Sequence, residues 1–434
     1  MNPGTSPRLL GFWMALALVV GNIIGAGVFL LPSSLAPFGP NILPGWLLTI
    51  AGALCLAWVL AQLARRISGG PYAYVADALG PEAGFLVMWS YWISVWTAVA
   101  ALAIAAVSYA SSLLPELGQG LAAPLLAIAC VLLFTAINSR GALAAGAVQL
   151  VTTLLKLLPL IAAVAVALLL LGQGTASASE TAAPVSLAGI AGVAALAMFA
   201  MLGFESATLP AGKVRDEART VPRATIAGTL VAGAVTLGAC AAVLYLLPAE
   251  VAANSPSPFA DAIRPALGDA AGTLVTLFAL ISALGALNGW VLISGEVPLS
   301  MAEARVFPAW FGRTTALGTP VRAQWVSSLV AVLLLAANYT RGLSGIFTFM
   351  ILVSTVSALV LYAAAAVAAL KLRIAVAASI LGLLFTAFAF WGAGLEASLW
   401  GLGLLLTGVP VYWLNRRSIL REEAAPAEPP APAA

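Results

Sequence analysis

Residues 21–29 read GNIIGAGVF. The chain around them, from Leu9 to Ser33, is otherwise apolar enough to cross a bilayer core, which takes about 20 residues as a helix. Gly21, Gly25 and Gly27 fall in the middle of that run. A glycine costs about 1 kcal/mol relative to alanine in a helix interior, so this cluster invites unwinding. Unwound backbone exposes N–H and C=O groups that lipid cannot satisfy. It persists at membrane depth only where protein buries it or where it lines a water-filled cavity. The stretch therefore predicts a membrane helix broken at midplane.

A second stretch has the same character. AMLGFES at 200–206 places Gly203 beside Glu205 inside another apolar run. The first break lies about a dozen residues into a span that starts on one face. The second lies at matching depth in a span that starts on the other face, five spans later. That symmetry suggests an inverted five-plus-five repeat, and paired discontinuous helices point to a transporter binding site. The N-terminal end of a half-helix has spare N–H donors and partial positive charge, which suits a carboxylate. Exposed carbonyls on the other half-helix suit an ammonium. Small residues also serve close helix packing. That explanation suffices for Gly27 alone, but two clusters at symmetric depth favour unwinding.

The rest of the chain agrees with lipid as its solvent. Of 434 residues, 62% are apolar and 8% are charged, against about 25% charged in a soluble domain. Twelve stretches are long enough to span: 9–33, 44–64, 83–113, 121–138, 143–171, 187–210, 224–247, 269–300, 322–338, 343–369, 373–391 and 395–414. The fold expected is an all-α membrane protein of about twelve transmembrane helices. It has one transporter domain over 1–415, with repeat one at about 9–171, repeat two at about 187–369 and two further helices at about 373–414. A cytoplasmic tail over 416–434 is expected to be disordered. The first run is too long for a signal peptide core and lacks a small-residue cleavage site, so it is read as the first span. All but three of the 19 basic residues fall in segments on the side of the N-terminus. The exceptions are Arg264, Arg341 and Lys156. The positive-inside rule then puts both termini in the cytoplasm of a multi-pass protein of the bacterial inner membrane.

Composition excludes several function classes. There is no histidine, so no imidazole base or ligand. Cys55, Cys130 and Cys240 lie far apart in apolar runs and have neither metal nor redox spacing. Neither a nucleophile elbow nor a phosphate-binding loop occurs. An enzyme, an ATP-driven pump, a metal or other cofactor and a nucleic-acid partner are not expected. The partners expected are the bilayer, a small-molecule substrate and protons, with a homodimer left open. A channel and a membrane sensor remain the other classes. A sensor would need a soluble output domain, and the loops here are short.

Three charges remain inside spans. Lys156 lies at the centre of the fifth, in TTLLKLLPL (152–160). A central lysine costs about 2.5–3.5 kcal/mol on insertion scales and is too deep to snorkel easily, so it is read as an amine held by a partner or held neutral. Glu205 is read as a gate or latch bonded to Asn22 or Tyr91, with a structural tie between helices as the equal alternative. Glu296 is read as a carboxylate of the inner vestibule or interface. Tyr72 and Tyr74, in a short polar stretch, are candidates for an inner gate, and an interfacial aromatic belt explains them as well.

GNIIGAGVFLLP at 21–32, GGPYAYVADALG at 69–80, GFESA at 203–207, SPFADAIRPALGDAAG at 257–272 and GEVPLSMAEARVFP at 295–308 resemble the amino acid–polyamine–organocation superfamily. Within it the chain looks most like the arginine/agmatine antiporters and their basic amino acid/polyamine relatives, over about residues 10–415. The resemblance implies that spans 1, 3, 6, 8 and 10 line the site. It implies that backbone amides at Ile23, Gly25, Ala26 and Gly27 bind the substrate carboxylate, that Phe199 closes over it, and that Tyr91, Val99, Leu202 and Trp290 line the rest. The resemblance implies that Trp290 is the retained aromatic that packs on a guanidinium, but those antiporters have Ser, Trp and Asn where this chain has Ala26, Phe199 and Val99, which weakens the case for arginine. The resemblance also implies that Lys156 stands where sodium-coupled members hold sodium. There it would bridge the first break to the eighth span, and it is a candidate carrier of a coupled proton. The function expected is alternating-access transport of an amino acid by exchange or proton-coupled uptake, with basic amino acid/polyamine exchange as the alternative.

Overall fold

The computed structural model describes residues 11–25, 27–67, 69–140, 155–173, 183–207, 216–316, 318–338 and 341–424. Among these, all regular structure is helical. Helix α1 (Phe12–Ile23) stops in the glycine stretch, and α2 (Gly27–Leu35) resumes beyond it. A 3₁₀ segment (Ala36–Asn41) leads into α3 (Ile42–Ala64). Then come the short α4 (Gly70–Leu79), the long α5 (Pro81–Leu113), α6 (Ala122–Asn138) and α7 (Leu157–Gly172). Helix α8 (Leu187–Met201) ends at the second glycine stretch, and a 3₁₀ turn (Phe204–Ala207) follows. The remainder is α9 (Glu217–Leu246), α10 (Ala249–Asn254), α11 (Pro258–Glu303), α12 (Val321–Asn338), α13 (Gly342–Lys371), α14 (Val376–Gly392), α15 (Gly394–Leu406) and α16 (Gly408–Ala424).

Among the described residues, seven helical stretches are long and apolar enough to cross a membrane, and five apolar helices are shorter. Two of the short ones, α1 and α8, are the pair that end at glycine breaks. Satisfying every backbone group internally is what makes helices the currency of a lipid-embedded chain. The protein is a multi-pass helical membrane protein.

Helix α5 forms the centre. Its apolar stretch is wholly buried, whereas that of Gly394–Arg416 is mostly exposed, as expected of a lipid-facing edge. Helices α11 and α13 pack along α5. Hydroxyls fasten the second contact: Ser90 Oγ donates to Ser357 O at 2.9 Å, and Ser354 Oγ to Ser94 O at 2.8 Å. Buried hydroxyls need such partners, and in membranes small polar residues let helices approach closely. Gly268 (φ 82°, ψ 172°) kinks α11, so its membrane part starts there, close to the predicted 269. The last helix differs from expectation. It continues to Ala424, where a tail was read from 416, because Asn415 to Ala424 contains no proline or glycine to stop it. Beyond Ala424 the chain lies outside the described residues.

Candidate functional site

Both expected breaks are present, and they touch. The first takes in Ile24 and Gly25. Ile24 still donates to Val20 O at 2.9 Å, but its ψ of 63° leaves the helix, and Gly25 N–H turns back to Ile23 O at 2.6 Å. Helix α2 then starts at Gly27. The second break follows Met201. Leu202 takes an extended ψ of 137°, and Gly203 a φ of +113°. This left-handed backbone favours glycine. A Cβ added to Gly203 would stand 3.0 Å from the carbonyl carbon of Asn22, so only glycine lets the two breaks abut. Across the contact, a Cβ on Gly27 would stand 2.8 Å from the Phe199 ring. The end of α1 therefore lies on the second break, and the start of α2 lies beside the last turns of α8.

Helix ends leave backbone groups without intrahelical partners: N–H groups at the start, C=O groups at the end. Here the start of α2 offers N–H donors next to the end of α8, which offers C=O acceptors. One of those carbonyls, Phe199 O, is taken by Leu202 N–H at 3.2 Å. A zwitterionic α-amino acid has a carboxylate for the first end and an ammonium for the second. Of the amides expected to bind a carboxylate, Gly27 stands at this helix start. Ile23 belongs to the last turn of α1, and Gly25 already bonds Ile23 O. Ala26 lies outside the described residues, as do Arg8, Lys213 and Arg215 used for orientation.

Each break carries one of the membrane charges. Lys156, 3% exposed, donates from Nζ to the carbonyl of Gly21 in the last turn of α1. Glu205, 2% exposed, accepts hydrogen bonds from two phenols and a backbone amide. Tyr91 OH donates to Oε1 at 2.8 Å, Tyr362 OH to Oε2 at 2.9 Å and Gly203 N–H to Oε2 at 3.1 Å. Through them α5 and α13 are tied to the second break. The expected Glu205–Tyr91 bond is present. Asn22 packs on Gly203 with its backbone and its Cβ.

Trp290 of α11 reaches the first break. Its indole nitrogen is the Trp290 atom nearest the missing Cβ of Gly25, at 3.9 Å. Phe199 meets Phe347 of α13 edge-on, with centroids 6.5 Å apart. Val99 is buried on α5, two turns beyond Tyr91. Tyr72 sits elsewhere. It packs on Gly84 at the start of α5, and burial raises its phenol, with Tyr412 and Glu82 adding to the shift. Tyr74 is buried in the core, and Glu296 is exposed.

Along α2, from Phe29 to Ser34, a second set of contacts joins this helix to its neighbours. Tyr109 OH donates to Phe29 O at 2.7 Å, and the Phe29 ring meets Tyr109 and Phe259 edge-on. Ser33 Oγ donates to Ser255 O at 3.0 Å, and Ser34 bonds Thr348 at 2.8 Å. The sequence reading missed Tyr362, Phe347 and Tyr109. Tyr362 had one usable signal, a hydroxyl inside an apolar span.

Residues 10–400 match a family model described as amino acid permease. A Bacillus subtilis (strain 168) protein named provisionally as an arginine/ornithine antiporter is 30% identical over 466 aligned positions, covering 96% of this chain and 98% of its own. The cadaverine/lysine antiporter of Escherichia coli (strain K12) is 32% identical over 319, covering 73% and 72%. The putrescine transporter PotE of Haemophilus influenzae is 27% identical over 409, covering 91% and 94%. These relatives are transporters, not enzymes. With the family model covering most of its length, the chain belongs to the amino acid permease family, within the amino acid–polyamine–organocation superfamily, and is a membrane transporter.

Proposed function

We propose that this chain carries an α-amino acid across the bacterial inner membrane by alternating access. One observation carries the reading: the start of α2 and the end of α8 lie side by side at two breaks that touch. Those two ends match the two charged groups of an α-amino acid. The carboxylate sits on the first amides of α2, and the ammonium on the carbonyls that end α8. Phe199 closes over the ligand against Phe347, while Val99, Leu202 and Trp290 surround its side chain. Twelve spans in a five-plus-five repeat with two added helices carry the site, within one membrane domain. Both termini face the cytoplasm. The contacts around Phe29, Ser33 and Ser34 then form the outer closure.

Lys156 holds the first break where a sodium ion would otherwise sit, and it is the candidate carrier of a coupled proton. Glu205 latches the second break. Exchange and proton symport both fit, and the names of the relatives favour basic amino acid/polyamine exchange as the second reading. Uptake of labelled amino acids into proteoliposomes tests the proposal. Accumulation above equilibrium, driven by internal amino acid or by an inward proton gradient, is expected. Uptake that never exceeds equilibrium under either gradient would identify a channel instead.

A further inference from the structure

We propose that the outer end of this transporter carries a second amino acid site, on Arg341 and Glu396, and that filling it holds the outer side shut. Its place on the outer side rests on the orientation and closure proposed above.

The site is a cavity of about 570 Å³, and ligand pockets run to about 300–1,000 Å³. It lies on a seam between two walls. One wall is α2 and the turn after it, with Ser33, Ser34 and Phe38. The other is the start of α13 and the start of α15. Among the described residues, its charged lining is one group of each sign. Arg341 precedes α13, Glu396 lies in the first turn of α15, and Nη2 stands 2.6 Å from Oε1. Both side chains reach water, at 35% and 60% exposed. The guanidinium also lies 4.1 Å from the centroid of the Phe349 ring, which keeps it beside the cavity. Arg264, on the same side, is instead held between Asp261 at 2.9 Å and Asp269 at 3.5 Å.

The Arg341–Glu396 pair is easily opened. An exposed ion pair contributes little, because water serves both partners almost as well. An amino acid head group carries the same two charges in one small unit. Its carboxylate meets the flat fork of the guanidinium with two parallel hydrogen bonds. Its ammonium meets Glu396, so one weak contact gives way to two. Ligands of other charge fit less well. A diamine brings no anion for Arg341, and a dicarboxylate turns one anion toward Glu396. Ser34 and Thr348, which bond each other across the seam at 2.8 Å, also line the cavity. A ligand seated there touches both walls. Opening the outer side parts them, so the filled site belongs to the closed form and favours it.

The test uses the purified full-length protein and two labelled probes, L-leucine and L-arginine. A site that reads the head group takes both, whatever the central site selects. Gly27→Val obstructs the start of α2, where a side chain meets the Phe199 ring. In that protein both probes should still bind saturably, more weakly than the tighter of them binds the wild type. Adding Arg341→Gln or Glu396→Gln should lower the remaining affinity about tenfold or more. Adding Ser344→Trp, which fills the cavity and keeps both charges, should do the same. Melting of each unliganded variant checks that it is folded. In cells expressing the wild type, uptake of the carried probe should pass a maximum and decline as its outside concentration rises, and Glu396→Gln alone should abolish the decline. No remaining binding in Gly27→Val, or binding that all three outer changes leave intact, would overturn this inference and leave the central site standing. Wild-type uptake that rises to a plateau would overturn the hold on the outer side. Wild-type binding that Gly27→Val leaves unchanged and the outer changes abolish would overturn the central site and keep this one.

Discussion

The two broken helices end in opposite ways, and each is held by a charge of matching sign. At the first break the loose group is a carbonyl, Gly21 O, and the amine of Lys156 holds it. At the second the loose group is an amide, Gly203 N–H, and the carboxylate of Glu205 holds it. A helix end exposes C=O with partial negative charge, and a donor of positive character suits it. The amide past a break calls for the reverse. The second fastening is the firmer, since Glu205 also gathers Tyr91 and Tyr362 from α5 and α13. The second break is thereby fastened by polar side chains to two helices of the body, and the first by the amine of Lys156.

Replacing Glu205 with alanine should break this comparison most completely. Three buried donors lose their acceptor, at about 1–3 kcal/mol each. Melting of the Glu205→Ala protein should fall sharply and transport should vanish. A melting temperature near the wild type would show that the cluster does not tie the break down. Next comes Gly203→Ala. A non-glycine residue in left-handed backbone costs about 1–2 kcal/mol, and the added methyl stands 3.0 Å from Asn22. About 2–4 kcal/mol of destabilisation is expected, with the two breaks forced apart, and thermal melting measures it.

Lys156→Met should separate stability from function. Removing a buried amine is favourable while orphaning the Gly21 carbonyl is not, so the net change in stability is about 1 kcal/mol. Transport in proteoliposomes should nevertheless fall below about a tenth. Wild-type transport by this variant would remove Lys156 from the mechanism. The smallest effect sharpens the comparison. Tyr362→Phe leaves Glu205 with Tyr91 and Gly203, so about 1 kcal/mol is expected. A loss as large as that of Glu205→Ala would show that Tyr362, rather than the carboxylate, organises the cluster.

Much of this was legible in the sequence, and for specific reasons. Gly25, Gly27 and Gly203 announced the breaks because glycine in an apolar span has few other uses at such density. Glu205 and Lys156 stood out because lipid makes isolated charges costly. Tyr91 followed from the resemblance. Tyr362 and Phe347 did not show, because tyrosine and phenylalanine in a membrane span are also ordinary packing residues and belt residues. Only the approach of α13 to the second break distinguishes them. Gly25 marks the limit of the backbone argument. Its position predicted a free amide, but an unwound turn can close on itself, and Gly25 N–H bonds Ile23 O. Nor did anything before 424 mark where the last helix would stop.

The central claim is that an amino acid binds where α2 begins beside α8. Equilibrium binding of the tightest-binding amino acid, compared between the wild type and Gly27→Val, tests it most directly. A side chain at 27 meets the Phe199 ring and covers the first amides of α2. Melting of the two unliganded proteins, measured alongside, shows that the variant is folded. Affinity in the folded variant should drop by about a hundredfold or more, which is about 2.7 kcal/mol. Unchanged affinity would contradict the account and place the substrate elsewhere in the transporter.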